Sequence, residues 1–252
     1  MNLEALRILV DLRDQAIQKQ RLAFGERIRA IEQGRDTADE DTLALLQRWY
    51  ERFQALEEEL DGEIRSVAGE FPIIEAATQV RGCGLLNVAK VVAHIDIARA
   101  ETVSQLWRFA GYGLGKYHVS ADGRVLAPVV GRQYDRSAGQ WRTVRPEPPE
   151  GSHVEERPDR PVAGFGLPYN ARLKTACYLV ASAFLRANSP YRDIYDQARA
   201  YYEDHRPDWS RNRQHRAALR KMTKIWLSHL WETWRELEGL PTRRVYVIEH
   251  LG

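Results

Sequence analysis

Apolar residues recur every seven positions through the first seventy residues. Leu3, Val10, Ile17, Phe24 and Ile31 form one series, supported by Leu6 and Ile28. Leu46, Phe53, Leu60 and Val67 form a second, supported by Tyr50, Leu56 and Ile64. Between them Gly34 is placed to end one helix, and Thr37 with Glu40 three residues on reads as a capping box for the next. The pattern predicts two helices, each about 40 Å long at 1.5 Å per residue. Joined by a short polar turn, they read as an antiparallel helical hairpin, a coiled-coil arm over residues 1–71 serving as spacer, dimerisation element or both. Arg13, Gln20 and Arg27 fall where an apolar seam would want leucine, so a simple two-stranded zipper is not expected.

After Pro72 a short helix leads into Val80-Arg81-Gly82-Cys83-Gly84, followed at once by an apolar helical run from Leu85 to Ile95. Two glycines this close allow a tight turn and a near approach to another surface. The next helix then presents unpaired N–H groups and its positive dipole end, a natural phosphate site. This is the logic of a helix-hairpin-helix, expected over residues 72–116; the alternative is a bare helix–helix turn. Glu101 to Ala110 reads as a further helix with Val103, Leu106, Trp107 and Ala110 on one face, and Trp107 and Phe109 are expected in the core.

From Gly111 the period changes. Two or three short strands are expected, turning at Asp122-Gly123 and Ala138-Gly139. Pro146 to Pro161 is rich in proline and mixed charge, and is expected to lack regular structure unless a ligand orders it. These stretches make up a β/loop insertion over 117–163. A C-terminal helical domain follows over 164–252, with helices from Leu167 to Ala187, Tyr191 to His205 and about Asn212 to Leu237, and a short strand from Arg243 to Ile248. The expected fold is mainly α: the arm, the helix-hairpin-helix segment and a helical domain carrying a small β insertion.

Composition narrows the function classes. The chain has 252 residues, two cysteines without CxxC spacing and seven scattered histidines, so neither a metal site nor a cofactor is expected. No run approaches the ~20 apolar residues of a membrane span. Arg7, Asp11, Arg13 and Asp14 interrupt what would be a signal peptide, so a reducing, cytoplasmic compartment is expected. Residues 1–70 carry 10 Lys/Arg against 16 Asp/Glu, the remainder 27 against 19. An acidic arm on a basic body points the body at a polyanion. The opening turns of the last helix concentrate Arg211, Arg213, His215, Arg216, Arg220, Lys221 and Lys224. They form either a solvated face or a phosphate-binding stripe.

Val80 to Gly84, Leu106 to Leu114 and Asn170-Ala171-Arg172-Leu173 together resemble the C-terminal two thirds of bridge-RNA-guided insertion-sequence transposases. The resemblance spans most of the chain, although each motif is short. Two departures matter: the RuvC-like nuclease domain with its acidic metal ligands has no counterpart, and residues 120–164 look like an insertion. An arm plus such a body is also similar to the Nop domains of box C/D particles and to proteins associated with tandem interspaced guide RNAs. That second group fits a nuclease-free chain better.

The resemblance implies a guide RNA and a DNA target as partners; the helical arm implies a homodimer, and the hydropathy implies no membrane partner. The phosphate contacts expected are Arg81, Gly82, Gly84, Lys90, Lys116, Arg172, Lys174, Arg213, Arg216, Arg220 and Lys224. In the transposases a serine shortly after the Gly-Leu turn attacks DNA; that position falls on Ser120, beside His118 and Asp122. A serine becomes a nucleophile only when a base or cation activates it, and the alternative is a turn serine before Asp122-Gly123. Three functions follow: a nuclease-free, RNA-guided DNA-targeting protein that binds RNA by backbone and shape; a serine recombinase subunit acting with a RuvC-like domain in trans; or a non-catalytic coiled-coil interaction protein.

Overall fold

The computed structural model describes residues 2–242. The chain is mainly helical, with a small antiparallel sheet. The strand expected from Arg243 to Ile248 lies outside the described residues. Two compact units are present: residues 1–79 with 84–94, and residues 80–83 with 95–252. The four segments read from the sequence are thus grouped differently, since the helices on either side of the glycine turn join the first unit.

In that unit α1 (Leu3–Asp11) passes through one π-helical segment (Leu12–Ile17) into α2 (Gln18–Glu32). Gly34 turns the chain with φ of 67°. α3 (Glu40–Ala68) then begins at Asp39, whose carboxylate accepts from the Thr42 N–H. The capping box expected from Thr37 and Glu40 is therefore not formed; an Asp three residues before Thr42 caps equally well. Phe24 of α2 stacks on Phe53 of α3 at 5.6 Å. α4 (Pro72–Thr78) carries its proline at N1, where the missing N–H costs nothing, and α5 is Leu85–Ala93. Leu6, Val10, Ile64, Ile73, Ile74, Val88 and Val91 form the core of this unit.

Of the polar seam positions, Gln20 and Arg27 are exposed, whereas Arg13 enters a charge network. Arg13, which is 8% exposed, reaches Asp61, Glu57 at 2.8 Å and Asp14 at 2.9 Å. Arg21 meets Glu57 at 2.6 Å, and Lys90 meets Asp14 at 2.8 Å. Three cations thus face three carboxylates, and burial is tolerable because each charge has a partner. Arg13 lies in the π-helical segment, on the same face as buried Leu6 and Val10.

In the second unit, α6 (Val103–Phe109) starts at a true capping box between Thr102 and Gln105. A three-stranded antiparallel sheet has the order β2-β1-β5, with β1 Leu114–Val119, β2 Val125–Pro128 and β5 His153–Pro158. A separate hairpin pairs β3 (Gly131–Asp135) with β4 (Gln140–Val144). Gly123 and Gly139 turn with φ of 82° and 63°, as expected at those positions. The structure corrects the expectation for Pro146 to Pro161. That stretch contains β5, which tolerates Pro158 because it is an edge strand and the proline closes it.

Helices α7 (Ala171–Ala187), α8 (Tyr191–His205) and α9 (Arg211–Leu237) complete the unit. Asn188, at φ 50°, ends α7. Their core holds Phe184, Cys177, Trp226, Leu227 and Trp231, with Leu106 of α6. The Trp231 indole donates to the Ala100 carbonyl at 2.7 Å, and buried Arg235 donates to the carbonyls of Ile97 and Ala100. These bonds tie the irregular segment after residue 95 to α9. Phe109, expected in the core, is 44% exposed, whereas Trp107 is half-buried and donates to the Lys224 carbonyl.

Replacing Arg13 by Met should cost about 3–5 kcal/mol, because half-buried Asp61 would lose its partner and buried Glu57 would be left with Arg21 alone among the cations. The urea midpoint measures this. Adding Glu57→Gln should return part of the loss, and no recovery would mean the network is not coupled.

Candidate nucleic-acid interface

Asp159 is the residue around which the polar interior of the second unit is arranged. It follows β5 directly, and its N–H donates to the Gly113 carbonyl. It is 6% exposed; Tyr117 donates to Oδ1 at 3.4 Å, and Oδ2 has no hydrogen-bond partner. Gly113 before β1 and Gly115 within it are both crowded: a Cβ at Gly113 would collide with Arg108 Cγ, and one at Gly115 would lie 2.8 Å from the Tyr117 ring. A Cβ at Gly113 would lie 2.9 Å from Oδ2, and one at Gly115 2.7 Å from Oδ1. The Gly-Leu-Gly spacing lets Arg108, Tyr117 and the Asp159 carboxylate all approach this backbone closely.

Burial raises the Asp159 carboxyl above the usual carboxylate range, and the charges of Arg108, Arg220 and Lys174 pull it back only in part. The cations are displaced in turn. Burial lowers Arg220, Lys174 and Lys224, and the Arg220 charge lowers both lysines further. Arg220 donates to the carbonyls of Tyr112 and Gly113. The Lys174 ammonium sits 4.0 Å from the centre of the Tyr169 ring, and that of Lys224 3.9 Å from the Trp107 ring.

Asp159 also lines a cavity of about 450 Å³. Its walls are Leu114 and Tyr117 of β1, Pro128 to Val130 after β2, and Val162 and Phe165 of the following loop. Arg108, Lys116, Arg132 and Arg160 bring four cations to the same wall, and Glu156 and Asp159 two acids. Beside it stands the β3–β4 hairpin. Tyr134 and Trp141 are cross-strand partners, half-exposed at 51% and 50%, and pack edge to face at 5.4 Å. Arg132 lies over Trp141 at 5.4 Å, and Trp141 leans on Gly166.

The residues expected from sequence scatter across this picture. Lys116 lines the cavity and is exposed. Arg220, Lys174 and Lys224 come together, but as a half-buried group held by carbonyls and aromatic rings rather than an outward stripe. Lys90 is buried in the first unit against Asp14, which corrects its reading as a phosphate contact. Gly82, at φ 95°, approaches α7: a Cβ there would lie 3.1 Å from the Phe184 ring and 3.2 Å from Ala187. Its conformation is explained by packing. Gly84 is exposed and caps α5 with no side-chain bond. Arg81, Arg172 and Arg216 are exposed, and Arg213 stacks on Trp209 at 4.1 Å.

Ser120 closes the β1–β2 turn. Its hydroxyl donates to Asp122 and accepts from the Arg124 N–H at 3.1 Å. The serine's own hydrogen bond holds the Asp122 carboxyl below its usual range, which makes Asp122 a poor base. The geometry is that of a turn serine and lacks the activation a nucleophile needs. Cys83 and Cys177 are buried thiols; burial pushes Cys83 up to about 12 and Cys177 upward as well, so neither presents a reactive thiolate. Among the described residues no His, Cys, Asp and Glu cluster could hold a metal. No helix among them is long and apolar enough to cross a membrane.

Sequence reasoning missed Asp159, Arg108, Arg160, Tyr134 and Trp141. The hairpin had a signal: Arg132, Tyr134, Trp141 and Thr143 fall on one face once the turn is set at Ala138-Gly139. Asp159 had none, because nothing in Arg-Pro-Asp-Arg-Pro marks which acid is buried. Compared with protein-family models, curated proteins and solved structures, the chain matches none.

Folding raises the Asp159 pKa, so the folded state holds that proton more tightly than the unfolded chain. The associated stability is full below the unfolded value of about 3.9 and is lost as pH rises through the raised value. Asp159→Asn keeps the shape without the charge. It should raise Tm near neutral pH by about 2–4 °C, the scale of 1 kcal/mol in a chain of this size. The gain over wild type should shrink as pH falls toward 4; a constant difference in thermal melts would contradict the buried carboxylate.

Proposed function

We propose that the chain is a non-catalytic nucleic-acid-binding protein that holds single-stranded RNA along the β3–β4 hairpin and the adjoining cavity. The observation that carries this is the half-exposed Tyr134–Trp141 pair with Arg132 over it, beside four cavity-lining cations. Aromatic faces stack unpaired bases regardless of sequence, while cations follow the phosphates. This is the chemistry of backbone-and-shape binding, and it leaves target choice to base pairing.

The more detailed reading extends this core. In it the bound strand is a guide RNA, a DNA target is chosen by that RNA, and the protein acts in the cytoplasm without a nuclease of its own. α4 and α5 with the Val80–Gly84 turn serve as a helix-hairpin-helix. The resemblance to guide-RNA-associated and transposase proteins motivates that extension. The long helices α2 and α3 serve as a coiled-coil arm for a homodimer. Leu45, Trp49 and Leu56 support the dimer, being exposed at 44%, 39% and 42% and spaced to share one side of α3. The recombinase reading lacks a comparable support, because the Ser120 hydroxyl is occupied by its turn.

Trp141→Ala should weaken binding of a labelled single-stranded RNA about tenfold or more, at roughly 1–3 kcal/mol per stacked base. Arg132→Ala and Lys116→Ala should each flatten the salt dependence by about one phosphate contact. Fluorescence anisotropy across a salt series reads both effects. Sequencing nucleic acid that co-purifies tests the guide: a discrete short RNA of one origin is expected. Unchanged affinity and slope in all three variants would remove the hairpin from the interface.

A further inference from the structure

A second basic surface of the same unit lies at the turn between α8 and α9, residues 206–210. The backbone there is fixed. The Trp209 N–H donates to the Arg206 carbonyl at 3.0 Å, Ser210 caps α9, and buried Gln214 donates back to the carbonyls of Tyr202 and Arg206. Half-buried Trp209 is the centre of the turn. Tyr202 stacks on its ring at 5.5 Å, and the guanidiniums of Arg213 and Arg206 lie over it at 4.1 Å and 5.8 Å. Arg216, three residues beyond Arg213, shares its side of α9 and is exposed.

The charge of this turn is unbalanced. Glu203 is paired with Arg199 at 2.6 Å, and Asp204 lies 3.2 Å from His205. Of the acids between residues 203 and 208 only Asp208 is left, and among the described residues Arg206, Arg213 and Arg216 have no carboxylate within ion-pair distance. Like charges held this close repel, and a cation over an accessible ring returns only a little. The planar fork of arginine fits phosphate, and a guanidinium already laid on a ring loses less freedom when it binds one.

The form of the polyanion follows from the ring. Tyr134 and Trp141 of the hairpin are half-exposed, a platform for unpaired bases. Three side chains already lie on Trp209, so its role is to hold arginines rather than to stack a base. Fixed cations without a stacking platform suit a nucleic acid whose bases are already stacked on one another. We propose that the α8–α9 turn binds the phosphate backbone of a duplex through Arg206, Arg213 and Arg216, with Trp209 positioning the first two. The hairpin and this turn share no residue, so either can fail without the other.

Fluorescence anisotropy of the full chain with a labelled blunt-ended DNA duplex, across a salt series, tests the site. Arg206→Ala with Arg213→Ala should weaken duplex binding about tenfold or more and flatten the slope of log affinity against log salt by roughly 1.8, at ~0.9 per phosphate contact. Trp209→Leu leaves the charge in place, so it should weaken binding several-fold at an unchanged slope, and Trp209→Phe should restore most of the loss. A merely structural role would not separate affinity from slope. If the Trp209 variants unfold by circular dichroism, the arginine pair and Arg216→Ala decide, since those side chains are exposed.

The same titrations with oligouridylate separate the turn from the hairpin. Duplex binding lost in the arginine variants, with oligouridylate binding kept, supports the duplex site. Loss of both alike, or of oligouridylate binding alone, makes the turn part of a single-strand track and overturns it. Duplex binding absent from the wild type, or unchanged in every variant, overturns it as well. Duplex binding without any oligouridylate binding sinks the hairpin reading and leaves the turn standing. DNA and RNA duplexes present the same phosphates, and the one bound more tightly identifies the source.

Discussion

Charge taken out of water must be matched, and the two units meet that constraint in different ways. In the first unit Arg13, Arg21 and Lys90 face Asp14, Glu57 and Asp61, and every head group finds an opposite partner at hydrogen-bond distance. The network is closed. Removing one member would leave buried charge, but nothing in it invites a visitor. In the second unit Asp159 feels Arg108, Arg220 and Lys174 without bonding to any of them, and one of its oxygens stays empty. That network is left incomplete inside the unit.

This difference separates charge used for folding from charge used for binding. Arg220 illustrates the first use. Its position in a basic helix start suits a phosphate contact, yet its guanidinium holds the Tyr112 and Gly113 carbonyls and so shapes the turn before β1. Gly113 in that turn and Gly115 in β1 have no side chain to crowd the Asp159 carboxylate, Arg108 or Tyr117. Local backbone, buried acid and cavity therefore form one arrangement, and a change at any of them would be felt at the others. The hairpin depends on it less. Tyr134 and Trp141 are positioned by a two-stranded register and by contact with Gly166, which leaves their faces half-open.

The helices were legible in the chain because their signals are local and periodic. α8 begins and ends where its amphipathic pattern does, α9 within one residue of it, and Asn188 marks the end of α7. The turns at Gly123 and Gly139 were legible for the same reason: glycine at positive φ is a short-range requirement. β5 was not, since its stability comes from pairing with β1 some forty residues earlier, and prolines at both ends hide its pattern. The site was less legible still. Heptad spacing flagged Arg13 as anomalous, but only the folded chain supplies Asp61 as the reason. A cluster of basic residues in sequence does not reveal which cations turn inward, as Lys90 does, and which stay in water, as Arg216 does.

The glycines show how one residue type can mislead when read by itself. Gly82 and Gly84 form a motif that suits a phosphate, but Gly82 is explained by the packing of α7, and Gly84 by the absence of anything nearby. Gly113 and Gly115 carry no such reputation, yet they abut the most strongly constrained acid in the second unit. What distinguishes the two pairs is the neighbour. Gly82 lies against a phenylalanine ring, Gly113 against Arg108, and Gly115 against the Asp159 carboxylate and the Tyr117 ring, so each records a close approach that a Cβ would block. A fold gains no stability from keeping an unsatisfied acid buried, so Asp159 is a point at which the interior of the second unit carries a cost that its close-packed glycines do not relieve.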